Sequence, residues 1–217
     1  MAGLVLVLDY DGTVAEDDML DRVANHFGDP ELFRALDAEL DGGTMTLHEV
    51  IRREFEAVRA PREEVVAWTV EHTRLRPGLR ELLALARERE WRLVVLSSGF
   101  HELIEPVLEA HGLAEVELVA NHVSPGPDGW RASFRDEEPC AVCGEPCKRA
   151  TLAQVVGDAD ATVAYVGDGY SDRCAAEAAD LRFARAALAR WLEARGVAHS
   201  TYEDFFQVAN TILTVSP

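Results

Sequence analysis

The sequence predicts an α/β fold built on an open parallel sheet, and three apolar runs predict it. Residues 4–8, 91–96 and 162–166 are short, rich in Val and Leu, and each stops at polar residues. Runs of that length without polar alternation read as strands buried on both faces. Helical patterns separate them, and right-handed crossovers then bring the three strand ends to one edge of the sheet. Open α/β sheets carry their chemistry at that edge.

The first run ends at Asp9-Tyr10-Asp11-Gly12-Thr13. Two aspartates this close repel each other unless a proton or a cation lies between them, and a divalent metal would resolve the conflict. Gly12 permits a sharp exit from the strand, and Thr13 can hold the loop through its hydroxyl. Taken alone, the same residues also fit an ordinary Asp-Gly turn.

A helical stretch follows, with Leu20, Val23, Ala24 and Phe27 at helix spacing and Gly28 as its stop. A loop with Gly42 and Gly43 leads to a second helix whose apolar face carries Leu47, Val50, Ile51, Phe55 and Val58. Pro61 starts a third helix at a position where its missing N–H costs nothing. This helical insert, residues 15–76, separates residues 1–14 from the main body at 77–217. After Arg76-Pro77-Gly78 a helix bearing Leu79, Leu82, Leu83 and Ala86 packs on the sheet.

The second strand stops at Ser97-Ser98-Gly99-Phe100, and the next helix carries Ile104, Val107 and Leu108 up to Gly112. Residues 115–122 and 129–134 alternate in polarity around Pro125-Gly126-Pro127-Asp128-Gly129, which reads as a hairpin placed as a flap. Lys148 opens a helix ending near Val156. The third strand runs into Gly167-Asp168-Gly169-Tyr170-Ser171-Asp172, and residues 181–184 form a fourth. A helix through Leu188 and Trp191 and an amphipathic one with Phe205, Val208 and Ile212 complete the pattern.

With a formal net charge of −18, the chain offers no basic face for nucleic acid or an anionic membrane. An anionic substrate would need a local site made of a metal, a lysine and backbone amides. The opening residues are too short and acidic for a signal-peptide core, and no apolar run spans a bilayer, so a cytoplasmic location is expected. Monomer and homodimer both remain open.

Aspartates, a hydroxyl, a lysine and further aspartates at consecutive strand ends are what metal-assisted phosphoryl transfer to a carboxylate requires. Their order and spacing resemble the four motifs of the haloacid dehalogenase superfamily of phosphatases over nearly the whole chain. The resemblance implies a Rossmann-like core at 1–14 and 77–217 with a helical cap at 15–76. It implies that Asp9 is the nucleophile forming an aspartyl-phosphate and that Asp11 is the general acid and base. Ser97 would hydrogen-bond a phosphate oxygen, and Lys148 would neutralise charge on the phosphoryl group and on Asp9. Asp9, Asp11 through its carbonyl, and Asp168 would hold Mg²⁺, with Asp172 ligating directly or through water.

Small helical caps with Gly-Phe after the second motif are similar to the phosphoserine phosphatase branch. That likeness places Asp18 among candidate substrate contacts; Ser98 and Gly99 are further candidates, Arg52 and Arg53 could meet a substrate carboxylate, and His101, after Gly99-Phe100, could contact substrate. Ser97-Ser98-Gly99 departs from the usual Ser-Gly-Gly of that branch. A cysteine pair, a cysteine directly before the lysine and another after the last aspartate look more like the phosphocholine and phosphoethanolamine phosphatases. Cysteine before the lysine is also similar to the methylthioribose-salvage phosphatase branch. The expected function is therefore Mg²⁺-dependent hydrolysis of a small phosphorylated metabolite, with transfer to an alcohol acceptor, or a silent regulatory protein, as alternatives.

Cys140, Cys143 and Cys147 are clustered and Cys174 stands apart, a pattern that in a reducing compartment points to metal or redox chemistry. Cys147 abuts Lys148 and Cys174 follows Asp172, so all four could meet around a zinc ion that pins the lysine loop. Plain buried thiols are the alternative. The remaining histidines show no ligand spacing.

Overall fold

A computed structural model describes residues 3–135, 137–157 and 161–215. Its sheet has seven strands in the order β4-β3-β2-β1-β5-β6-β7. These are Gly3–Leu8 (β1), Arg92–Phe100 (β2), Glu117–Ser124 (β3), Arg131–Ser133 (β4), Ala161–Gly167 (β5), Leu181–Ala184 (β6) and Ser200–Thr201 (β7). β1, β2, β5, β6 and β7 are parallel, and β3 with β4 forms the expected antiparallel hairpin.

The helices are Met19–Phe27 (α1), Pro30–Asp41 (α2), Leu47–Glu56 (α3), Arg62–His72 (α4), Leu79–Glu88 (α5) and His101–Ala110 (α6). Lys148–Val156 (α7), Arg173–Ala178 (α8), Ala186–Ala194 (α9) and Phe205–Val215 (α10) follow. Among the described residues, no helix is long and apolar enough to cross a membrane.

Backbone contacts divide the chain into two compact units. The first comprises Met1–Asp17, Arg74–Leu96 and Cys147–Pro217. Its β1 is buried from Leu4 to Leu8 because parallel neighbours flank it on both sides. Leu8 pairs with Val95 in β2 and with Val166 in β5, a register that levels Asp9 with Leu96 and Gly167. The chain passes from β1 to β2 on one side and later reaches β5 on the other. That is the switch point where loops diverge in such sheets.

The second unit comprises Asp18–Thr73 and Ser97–Pro146. Its core joins α1, α3, α4, α6 and the hairpin through Val23, Ile51, Phe55, Val65, Phe100 and Trp130. Phe55 meets the Phe100 ring edge-on at 4.8 Å, and the indole N–H of Trp130 donates to the Ala60 carbonyl at 3.1 Å. Burying side chains of this size stabilises the unit by about 1.5–3 kcal/mol each.

Two expectations need correction. The stretch before Gly42-Gly43 is not all loop, since α2 occupies it, started by Pro30 and by Asp29, whose carboxylate accepts from the Glu31 and Leu32 N–H groups. The second strand does not stop at Ser97 but continues to Phe100, because β3 lies beside it in the sheet.

Candidate active site

The site grows out of the end of β1. Tyr10–Val14 winds into one tight turn closed by Val14 N–H to the Asp9 carbonyl at 3.2 Å and Ala15 N–H to the Tyr10 carbonyl at 2.9 Å. Within it Asp11 is extended and Gly12 sits at φ 71°, a conformation that glycine adopts without penalty. A Cβ on Gly12 would also fall on the Asp168 carboxylate. The turn is therefore tight because the two loops touch there.

Arginines hold this turn from outside. Arg76, buried, donates from Nε to the Thr13 carbonyl and from Nη2 to the Gly12 carbonyl, both at 2.7 Å. Arg185 Nη1 adds a bond to the same Gly12 carbonyl at 3.0 Å. The Thr13 hydroxyl donates to Asp168 Oδ1 at 3.3 Å and accepts from the Tyr202 hydroxyl. None of these arginine or tyrosine roles was expected. The available signal was a charged residue, Arg76, directly before Pro77-Gly78 at a helix start.

Lys148, the first residue of α7, is 3% exposed. Its ammonium donates to Asp9 Oδ1 and, at 2.8 Å, to Asp172 Oδ1. Asp172 is engaged at both oxygens: Oδ1 also accepts from the Tyr165 hydroxyl at 2.7 Å, and Oδ2 accepts from the Asp168 and Gly169 N–H groups at 2.9 and 3.0 Å. Gly167 leaves room for this, since a Cβ there would press on the same carboxylate.

Burial raises the Asp9 pKa well above the ordinary carboxylate range, and Asp172, Asp168 and Asp11 push it further, against the pull of Lys148. Burial would also raise Asp172, but Lys148 and the Gly169 N–H outweigh it and hold that carboxyl low. Lys148 loses by burial and regains more from Asp172 and Asp9, so its pKa ends above the usual ammonium value. Burial keeps the Tyr165 phenol protonated, with Asp172 adding to the effect.

Asp9, Asp168 and Asp172 each offer a carboxylate oxygen, all within 4.8 Å of one another. With Asp11 two residues from Asp9, the acids outnumber the single ammonium of Lys148. That excess of hard oxygen donors and negative charge fits a small hard dication.

The expected phosphate and substrate contacts, Ser97, Ser98, Gly99, Asp18, Arg52, Arg53 and His101, lie in the second unit. Ser97 is fully buried, with Oγ accepting from the Gly99 N–H at 2.8 Å and its carbonyl accepting from Arg135. The Ser98 carbonyl accepts from Asn121 at 2.8 Å, and Gly99 is buried. Asp18 caps α1 by accepting from the Asp21 N–H at 2.9 Å. Arg53 is exposed, whereas Arg52 lies over Phe134 and pairs with Glu137 at 3.6 Å. His101 stacks on His122 and its Nε2 accepts from the Ala120 N–H.

The family model for haloacid dehalogenase-like hydrolases matches residues 6–177, a span that holds Asp9, Asp11, Lys148, Asp168 and Asp172. The chain belongs to that family. It is a phosphatase-type member, as its named relatives are.

The chain is 28% identical to the 2-hydroxy-3-keto-5-methylthiopentenyl-1-phosphate phosphatase of an Exiguobacterium species, over 94% of each protein. The same-named protein of Brevibacillus brevis is 29% identical over 98% of this chain and 96% of its own. A polyol phosphate phosphatase of Saccharomyces cerevisiae is 26% identical over 85% of this chain and 81% of its own. Among solved structures, a phospho-aspartyl intermediate analogue of phosphoserine phosphatase superposes with a TM-score of 0.74 at 17% identity. It covers 97% of this chain and 99% of that one. A phosphoserine phosphatase of T. onnurineus gives 0.68 at 22%, over 98% and 94% of the two chains. At those identities the structural likeness speaks to the fold.

Proposed function

We propose that this protein hydrolyses a small phosphomonoester with Mg²⁺, through a phosphoryl group carried on Asp9. The observation that supports this most is the buried Lys148 ammonium joining Asp9 and Asp172 at the end of β1. A carboxylate that must attack an anionic phosphorus needs its own charge and that of the phosphoryl oxygens offset, and a lysine fixed in place does so without reorganisation.

In this reading Asp9 attacks phosphorus as the bond to the leaving alcohol breaks, and Asp11 protonates the departing oxygen. Asp11, now a carboxylate, takes a proton from water as that water attacks phosphorus. The Asp9 carboxylate is regenerated and inorganic phosphate leaves. Ser97 and Lys148 bind the phosphoryl oxygens. Asp9 and Asp168 would hold Mg²⁺, which when bound supplies charge neutralisation at the phosphoryl group. Asp172, with both oxygens engaged by protein donors, stands behind them and orients Lys148 and the 168–169 backbone.

The first substrate to test is 2-hydroxy-3-keto-5-methylthiopentenyl-1-phosphate, because relatives of that name match along nearly the whole chain. A polyol phosphate is the second, on the likeness to the yeast protein. Among the described residues the four cysteines form no disulfide, which suits the reducing cytoplasm.

Phosphate release should be measured from those two compounds, phosphoserine, phosphocholine and phosphoethanolamine, with and without Mg²⁺, for the wild type and Asp9→Asn. The reading expects Mg²⁺-dependent release from at least one compound, abolished by the substitution. Equal release by both proteins would overturn it.

A further inference from the structure

We infer that Tyr165 is a positioning residue: its hydroxyl completes the Asp172 carboxylate, and Asp172 so completed holds the Lys148 ammonium in place while the phosphoryl group is on Asp9. This role rests on the phosphoryl transfer to Asp9 proposed above, which makes no use of Tyr165. Tyr165, Asp172, Lys148 and Asp9 all belong to the first unit.

Strand geometry brings the hydroxyl to the site. Tyr165 is fully buried in β5 and pairs with Val7 of β1. Side chains alternate along a strand, so Tyr165 shares a sheet face with position 167 on its own strand and with Val7 and the still extended Asp9 on the neighbour. Two residues rise about 6.6 Å, which a tyrosine leaning along its strand can span. Gly167 leaves that face open, and Asp172 fills the space, since a Cβ at 167 would press on its carboxylate. The phenol thus arrives beneath Asp172 from inside the sheet.

A carboxylate offers about four acceptor sites, and at Asp172 each is used. Oδ1 accepts from the Tyr165 hydroxyl at 2.7 Å and from Lys148 Nζ at 2.8 Å, and Oδ2 accepts from the Asp168 and Gly169 N–H groups. Among the described residues Asp172 is the one partner of the Tyr165 hydroxyl. The Asp172 side chain is out of solvent, so a phenylalanine at 165 would keep the packing and leave an acceptor on Oδ1 unfilled. The carboxylate would then be free to turn, and Lys148 with it.

The two halves of the reaction depend on this unequally. Before transfer, Asp9 and Asp172 both hold the ammonium. Once an Asp9 oxygen is bonded to phosphorus, that side chain no longer carries a carboxylate charge, and Asp172 is the carboxylate left to Lys148. In the second half the water oxygen bonds to phosphorus, its proton passes to Asp11, and the Asp9 oxygen leaves with the bonding pair. Tyr165 therefore supports hydrolysis of the phosphorylated protein more than its formation.

Lys148 is the only lysine in the chain, so full-length protein labelled with nitrogen-15 at lysine Nζ gives one side-chain ammonium signal. Without substrate, Tyr165→Phe should shift that signal and exchange its protons with water several-fold faster than the wild type. With Mg²⁺ and an aryl phosphate, whose ready departure makes the second half limiting, kcat and KM should fall together by up to about tenfold. Their ratio should stay within about twofold of the wild type, and acid-quenched samples should hold a larger fraction of phosphorylated Asp9. A merely loosened fold would not raise that fraction. An unmoved ammonium signal, or a fall in kcat with KM and the phosphorylated fraction unchanged, would overturn the role of Tyr165. Turnover with no phosphoryl on Asp9 in either protein would instead overturn the proposed function, and the assigned step with it.

Discussion

Lys148 Nζ donates to Asp9 Oδ1 and, at 2.8 Å, to Asp172 Oδ1, and all three side chains are out of water. One ammonium therefore stands between two carboxylates that would otherwise repel each other. Removing one partner from a buried ion pair costs about 3–5 kcal/mol. Lys148→Ala should lose stability on that scale in urea titrations. Adding Asp172→Asn should return part of the loss, because it removes one of the two charges left facing each other. Strictly additive losses in the double variant would contradict this account.

Arg76 and the turn after Asp9 are coupled through backbone carbonyls and not through charge. Its Nε and Nη2 hold Thr13 and Gly12 by two bonds that a lysine cannot reproduce. Arg76→Lys should lower kcat by about ten- to hundredfold, the cost of letting the nucleophile loop drift. KM should change little, and steady-state kinetics with separate kcat and KM values decide it.

The Gly12 position is limited twice, by φ 71° and by the Asp168 carboxylate lying where a Cβ would go. Gly12→Ala should cost about 1–2 kcal/mol for the left-handed backbone alone. It should also displace Asp168 and raise the Mg²⁺ concentration needed for half-maximal phosphate release. An unchanged magnesium dependence would count against Asp168 as a metal ligand.

Glu54, on α3, is 5% exposed, and burial pushes its pKa up to about 8, with Asp21, Asp18 and Asp37 adding to the rise. Above its ordinary value the unfolded chain gives up a proton that the folded chain keeps. The contribution of Glu54 to stability is thus fully present below the ordinary carboxylate range and is lost as pH rises toward the folded pKa, by about 1.4 kcal/mol per pH unit in that window. Glu54→Gln should flatten the fall, seen as urea midpoints that change less than the wild type's between about pH 5 and about pH 8. Parallel curves for the two proteins would contradict the assignment.

The sheet and its edge could be read from apolar runs because β1, β2 and β5 are buried over residues 4–8, 94–97 and 163–167, so apolar residues fill most of these stretches. Asp9 and Asp168 could be singled out for the same reason, since each directly follows a patterned strand, whereas Lys148 opens α7, a short helix with a weakly marked apolar face. α2 was harder to read. Only Leu36 of its twelve residues is buried, so its face is weakly marked, although Asp29-Pro30 is a sound helix start. The support of the site was hidden because it is made by residues far apart in sequence. Arg76 reaches Gly12 across 64 positions and Arg185 reaches it across 173, and no local spacing records such contacts. Tyr165 was concealed inside an apolar strand, where its ring reads as core and its hydroxyl does not show.

The most direct test of the central claim is the mass of acid-quenched Asp11→Asn after mixing with Mg²⁺ and an aryl phosphate, whose leaving group needs no protonation. If Asp9 is the nucleophile and Asp11 the base for the second step, the protein should gain the mass of one phosphoryl group, located by peptide mapping on Asp9 and released by hydroxylamine. Substrate turnover with no adduct at any quench time, or an adduct on another residue, would contradict it.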